Sequence, residues 1–371
     1  MGRLRVLQVC SADSPGGGEL HVSDLARALR EREHEVHLAV RRSSPLRGLL
    51  DQGGFHWHEL PLRNAADLGS AHAIARMIRK YNIDVLHAHV ARDFTVCGVA
   101  ARLTDVNFFL TRHHFGQIKR SRLYGWAIHR VRNLIAVSAS VGRSLAEAFP
   151  QLADRIVVIP NWIDPQVVAT LSRVESREHF SIRRPLAVAV IGQLAPIKGQ
   201  DDFLRAVARL KDAGFEKADF FLIGEAATSD KNYKRRLQTM ARELGIDDQV
   251  RFAGYVSGVA RYLAAFDIVV APSENEAFSL AVVEAMVAGS AVVASRVGGM
   301  AETVDDEVTG LLVPPNDVDA LAAAMSRLLE SETLRGRLGQ AGAADARERF
   351  DRRRVIDRIE ELYLAGADHL R

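Results

Sequence analysis

The residues best equipped to do chemistry sit in "ENEAFSLAVVEAMVAG", Glu274 to Gly289, where Glu276 and Glu284 stand eight positions apart around the start of an apolar helical pattern. Starting that helix near Ser279 puts Leu280, Val283, Glu284 and Val287 on one stripe, so Glu284 is expected to face inward. A desolvated carboxylate without a partner costs roughly several kcal/mol or titrates to neutral, so it asks for donors. Ligand hydroxyls would serve, and so would an arginine from another helix. Glu276 precedes the helix, in the loop beyond "FDIVVAP". There it can reach a ligand while the amides of Phe278, Ser279 and Leu280 point at phosphate, or it stands as a surface acid.

Two further loops follow short apolar runs. In "IGQLAPIKGQDDFLRA", Lys198 stands just before a helix start, where a cation and free amides can jointly hold phosphate. The GxxxxGK[ST] spacing is absent, so this is no Walker loop, and a lone lysine in such a place is commonly just solvated. In "SADSPGGGELH", Gly16, Gly17 and Gly18 allow close backbone approach and positive φ ahead of a helix; a tight turn would use them equally well. A dinucleotide fingerprint would need glycine at His21 and an acid after the second strand, where Arg41 and Arg42 stand. That disfavours NAD and leaves NADP conceivable.

The elements that must position these loops alternate. "LRVLQV", a helix from about Glu19 to Arg32, "EVHLAV", a helix from about Leu68 to Tyr81, "DVLHAH", "VNFFLT", "NLIAVS" and "RIVVIP" form one series. "RPLAVAVIG", "DFFLIG", "QVRFAG", "FDIVVAP", "SAVVAS" and "TGLLVP" form another. Strands alternating with helices imply parallel βαβ units and doubly wound α/β sheets. The polar stretch Ser172 to Arg184 separates the series, which gives domains over 1–170 and 171–350. A last helical pattern, Asp351 to Leu364, carries Val355, Ile356, Ile359, Leu362 and Tyr363; pattern alone does not name its packing partner.

At 371 residues, with 48% hydrophobic and 26% charged residues, the chain has the size of two ordinary globular domains. The opening apolar run, Val6 to Cys10, is too short for a signal-peptide core, and no run approaches the ~20 residues needed to cross a bilayer. Cytoplasmic residence is therefore expected. Cys10 and Cys97 read as buried free thiols. Residues 1–180 hold 24 Lys and Arg against 17 Asp and Glu, a net of +7, while the remainder holds 25 against 29, a net of −4. Arg112, Lys119, Arg120, Arg122, Arg130, Arg132 and Arg143 lie between Asp105 and Glu147 with no acid among them and with Tyr124 and Trp126 interleaved. Such a surface suits an anionic acceptor, a lipid diphosphate or the inner membrane face, or is a solvated helix face; Lys119, Arg120, Arg122 and Arg130 are the candidate contacts. Nothing resembles a nucleic-acid reading helix or stacking platform. There is no DxD-like acid pair in these loops and no His/Cys cluster at ligand spacing.

Taken together, "IGQLAPIKG", "FAGYV", "APSENEAFSLAVVEAMVAGSAVVASRVGGMAE" and "TGLLVPPND" resemble the retaining glycosyltransferases of family 4, as do "PGGGE", "DVLHAH", "LTRHH", "AVSASV" and "IPNWID" in the first half. The resemblance implies the GT-B fold, two Rossmann-like doubly wound domains facing across a cleft, with the last helix crossing back to the N-terminal domain. It implies a hexosyl transfer from a nucleotide sugar, UDP-sugar favoured, to a saccharide or lipid-linked acceptor, without metal or other cofactor. By the same resemblance Glu276 orients the sugar hydroxyls, Glu284 holds the donor ribose, and Lys198 with the Phe278 to Leu280 amides neutralises the diphosphate. The Gly17 and Gly18 backbone closes over it, Val256 meets the nucleobase, and His113, with His114 as a substitute, lies beside the reacting sugar. Two positions depart from the family pattern: Gln193 replaces an arginine common beside the lysine loop, and Trp162 replaces a glycine. Competing readings are a nucleotide-sugar 2-epimerase of the same fold, against which the two-glutamate pattern speaks, and a non-catalytic two-domain sugar or nucleotide binder.

Overall fold

The computed structural model describes residues 2–13, 16–50, 54–115, 122–226, 230 and 232–367. The chain divides into two compact units, 1–162 with 352–371, and 163–351. The break falls after Trp162, ahead of the polar stretch at Ser172. Residues 163–171 belong with the second unit because the amides of Ala169 and Leu171 donate to the carbonyls of Ala260 and Arg261, at 2.8 and 3.2 Å.

The first unit is a seven-stranded parallel sheet of β1 (Arg5–Cys10), β2 (Glu35–Val40), β3 (His56–Glu59), β4 (Val85–Ala88), β5 (Asn107–Arg112), β6 (Asn133–Ala136) and β7 (Ile156–Val158), in the order β3-β2-β1-β4-β5-β6-β7. Helices cover both faces, which is why β1, β4 and β5 are buried at nearly every residue and not at alternate ones. Val355, Ile356, Ile359 and Tyr363 of the terminal helix Arg352–Ala367 are buried in the same core as Val6, Leu25 and Phe109. Its first residue, Arg352, donates to Asp24 and Glu31 on the helix Gly17–Glu31, at 2.9 Å each.

The second unit is a six-stranded parallel sheet of β8 (Leu186–Ile191), β9 (Ala218–Ile223), β10 (Val250–Gly254), β11 (Ile268–Ala271), β12 (Ala291–Ser295) and β13 (Leu311–Val313), ordered β10-β9-β8-β11-β12-β13. In both sheets strand order reverses beside the first strand. The resulting switch points, β1/β4 and β8/β11, lie where open α/β sheets leave a crevice beyond the strands' carboxyl ends.

Cys10 and Cys97 are free and buried. Among the described residues no helix is long and apolar enough to cross a membrane.

Candidate functional site

In the second unit the loops after β8 and β11 flank the switch point. Gly199, at φ +66°, ends the first loop in the left-handed region, and a Cβ there would drive into the Pro272 carbonyl of the second. The loops are laced by backbone: the Glu274 amide donates to Ile197 at 2.9 Å, and the Gly299 amide to the Glu276 carbonyl at 2.8 Å. Held this way, Lys198 Nζ donates to the Glu276 carboxylate, with side chains 32% and 14% exposed. Glu276 and Lys198 thus meet as an ion pair, a contact that their separation in sequence gave no sign of.

Gln200 was missed. Its side chain is fully buried, accepts from the Ala195 amide at 3.3 Å and donates to the Gln193 carbonyl at 2.9 Å, so it braces the loop that carries Lys198. Its signal was a polar residue at the start of the apolar stripe Phe203, Leu204, Val207 and Leu210. Gln193 itself is exposed.

Glu284 corrects an expectation. On the helix Leu280–Val287 the buried residues are Val282, Val283, Ala285, Met286 and Val287, and Glu284 shares the partly exposed stripe with Leu280, Ala281 and Ala288. The inward expectation holds only in part: the helix is apolar almost all round, so its stripe does not mark a single face, and Glu284 keeps some exposed surface while its carboxylate is largely enclosed. Glu284 still sits in a crowded recess: desolvation pushes its carboxyl up to about 7. Among the described residues no arginine or other group pairs with it. Ser279 caps the helix, its hydroxyl accepting from the Val282 amide at 3.4 Å, and the buried Phe278 packs edge-on against Phe350. The first-turn amides have no carbonyl of their own helix to meet. Val256 lies just past the end of β10, half-buried.

In the first unit, Gly16 is extended (φ −165°) and Gly17 and Gly18 form the first turn of the helix Gly17–Glu31; none of the three adopts the positive φ expected of them. The helix starts before Glu19 and uses them directly. Gly18 lies over the His113 ring, where an added Cβ would make ordinary contact at 3.8 Å.

His113 is buried, and it is not alone. His21, from the helix, and His89, after β4, are also under a tenth exposed, and the three offer ligand nitrogens within 4.8 Å of one another. Burial holds all three imidazoles well below their ordinary range, hence neutral. The ring of Trp162, the departure from the family's glycine, packs 4.3 Å from His21, and its indole N–H donates to Asp24. The sequence showed no histidine cluster at ligand spacing; the fold makes one from residues 21, 89 and 113, because helix and loops at the carboxyl ends of neighbouring parallel strands converge. His87 is a separate matter: its ring contacts the buried Tyr363 hydroxyl and Thr111, at 2.8 Å for the latter.

Of the basic stretch, Lys119, Arg120 and the side chain of Arg122 lie outside the described residues. Arg130 is ion-paired with Asp105, and Arg132 donates to the Ala365 carbonyl at 2.8 Å. A cleft lined by Arg3, Arg32, His34, Glu35 and His56 lies at the amino ends of β1 and β2, the opposite end of the sheet from the histidines.

Residues 15–167 match the model for Glycosyltransferase Family 4, and residues 173–345 that for Glycosyl transferases group 1. A D-inositol 3-phosphate glycosyltransferase from Saccharomonospora viridis is 30% identical over 300 residues, covering 76% of this chain and 69% of the relative. An N-acetyl-alpha-D-glucosaminyl L-malate synthase from Bacillus anthracis is 25% identical over 94% of each chain. Among solved structures, a glycosyltransferase from Rickettsia africae superposes with a TM-score of 0.88 at 22% identity over 99% of both chains. Anabaena HepE in complex with UDP-glucose superposes with a TM-score of 0.86 at 23% identity, over 98% of this chain and 100% of that one. With two parallel, doubly wound sheets and both halves matched, the chain belongs to the family 4 (group 1) glycosyltransferases and has their GT-B fold.

Proposed function

We propose that the protein transfers a hexose-type sugar, with retention of anomeric configuration, from a nucleoside diphosphate sugar to a saccharide or lipid-linked acceptor, in bacterial polysaccharide or cell-envelope glycan assembly on the cytoplasmic side. The observation that carries this reading is the switch point of the second unit. There Lys198, Glu276 and the start of a helix bearing the Glu284 carboxylate, without a partner among the described residues, are brought together.

Cleaving the bond between the anomeric carbon and phosphate builds charge on the departing diphosphate. Lys198 and the Phe278, Ser279 and Leu280 amides are the groups to stabilise it, and with these the diphosphate asks for no metal. Engaging phosphate requires Lys198 to share or exchange its Glu276 partner; the freed Glu276 carboxylate then accepts from sugar hydroxyls. Glu284 takes the ribose hydroxyls, whose donors favour its charged form. Val256 meets the base, and Gln193 adds a neutral donor where a cation is missing. His113 and the Gly17–Gly18 turn are assigned to the sugar side by resemblance. UDP is the favoured nucleotide, supported by the UDP-glucose bound to the Anabaena relative.

A second reading concerns the acceptor alone. The names of the relatives specify small anionic acceptors, an inositol phosphate and a malate, and the net charge of +7 over residues 1–180 suits one here equally well.

The test is nucleoside diphosphate release from UDP-, GDP- and ADP-sugars, with and without panels of lipid-linked, saccharide and small anionic acceptors. Release that requires an acceptor, with the product anomer matching the donor, is expected. Isomerisation of the donor without acceptor, or tight binding with no turnover under any acceptor, would sink the proposal.

A further inference from the structure

We propose that His21, His89 and His113 form a binding site for a divalent transition-metal ion of the zinc class. His21 Nδ1 lies 2.9 Å from Asn161 Oδ1, and His89 Nε2 lies 2.6 Å from Gln8 Oε1. Amide oxygens only accept, so each of these ring nitrogens carries the proton. In a neutral imidazole the other nitrogen is then a bare lone pair. His21 Nε2 and His89 Nδ1 are those atoms, and both are buried without a partner among the described residues, as are both nitrogens of His113. His113, when neutral, carries one N–H and one lone pair, so each of the three rings offers one lone pair that has no hydrogen-bond partner among the described residues. A single cation answers all three.

The geometry agrees. The ring centroids are 4.5, 5.7 and 5.8 Å apart. Three imidazoles around one tetrahedral ion, each nitrogen about 2.0–2.1 Å from it, place their centroids roughly 5.2 Å apart. The Asn161 and Gln8 contacts are the outer hydrogen bonds that fix tautomer and ring orientation at metal-bound histidines. Imidazole ligands select zinc, cobalt, nickel or copper over magnesium or calcium.

A second histidine group, Glu35, His37 and His56, makes the contrast. There His37 Nδ1 lies 3.0 Å from His58 Nε2 and His37 Nε2 lies 3.0 Å from Glu35 Oε1, so its nitrogens already have partners. That group needs no ion.

An ion at the buried triad would occupy His113, the residue assigned to the sugar side, so metal loading should impede transfer. This consequence rests on the proposed function; the binding itself does not. The experiment is titration of the full-length chain with Co2+, read by visible absorption and by equilibrium dialysis. One equivalent with the strong visible bands of a four- or five-coordinate nitrogen site, displaced by Zn2+, is expected. His113→Gln, which breaks no hydrogen bond in the described structure, should weaken affinity at least about 10-fold, and His89→Gln should do the same. The exposed-site control His56→Gln should leave it unchanged. Thermal unfolding reports folding of each variant, and added Zn2+ should raise the midpoint of the wild type but not of His113→Gln. No stoichiometric uptake by the folded wild type, uptake indifferent to both triad variants, or loss confined to His56→Gln overturns the proposal.

Discussion

Lys198 and Glu276, from loops 78 residues apart in sequence, close into an ion pair at the point where the second sheet reverses its strand order. A cation and an acid suited to opposite ends of a sugar phosphate therefore hold each other, and their coupling is measurable. Lys198→Ala should lower kcat/KM by about 100-fold or more, the loss typical of a donor aimed at developing charge. In urea unfolding, Lys198→Ala and Glu276→Ala should be non-additive, with a coupling of about 0.5–3 kcal/mol. Additivity within about 0.5 kcal/mol would show that the pair contributes nothing to the loops.

Glu284 should make stability depend on pH. Its folded pKa, about 7, lies above that of an ordinary glutamate, so between the two values the folded chain holds a proton that the unfolded chain has lost. Stability contributed by this group is full below the unfolded pKa and falls as pH rises through the folded one. Glu284→Gln removes the term, so the variant should gain on the wild type from pH 4.5 to pH 8, by on the order of 3 kcal/mol. Denaturation midpoints of both proteins across that range check it. A pH-independent difference would mean that the recess does not desolvate the carboxylate.

Glu284→Gln should also weaken nucleotide-sugar binding about 10-fold or more, since an amide replaces one of the acceptor oxygens proposed for the ribose. Isothermal titration at pH 8, where the wild-type carboxylate is ionised, is the measurement. Unchanged affinity would remove the ribose assignment while leaving the fold and family untouched.

Gln200→Ala leaves the Ala195 amide and the Gln193 carbonyl without their side-chain partner, at a cost of about 1–3 kcal/mol for each group that stays dry. Because the brace supports the Lys198 loop, the donor KM should rise, whereas an equally destabilising change elsewhere in the same core, such as Leu210→Ala, should leave it near the wild-type value. Equal KM values for the two variants would reduce Gln200 to a packing residue.

Gly199→Ala combines a positive φ with a Cβ driven into the Pro272 carbonyl. Strain of this kind costs about 1–3 kcal/mol before the clash is counted. The variant should unfold at lower denaturant and lose donor binding together, because the loops that bring Lys198 to Glu276 can no longer touch. Retained donor affinity in a destabilised variant would separate the two effects.

The sequence by itself settled the parallel βαβ architecture, because strands buried on both faces must be written as apolar runs, and Val6 to Cys10, Leu186 to Ile191 and Ala291 to Ser295 are written that way. It did not show β3, His56–Glu59, whose edge position leaves a polar string that carries no such run. It also named Lys198, Glu276, Glu284 and His113 one at a time, as residues near the ends of strands. Only the tertiary structure decided their company: Glu276 on Lys198, Glu284 in a partly open recess without a partner among the described residues, Gln200 beneath the loop, and His113 with His21 and His89. The reason is physical. Periodicity reports which face of an element is buried against its neighbours, whereas a site at a switch point is made by loops that meet across the sheet, and nothing local in the chain encodes that meeting.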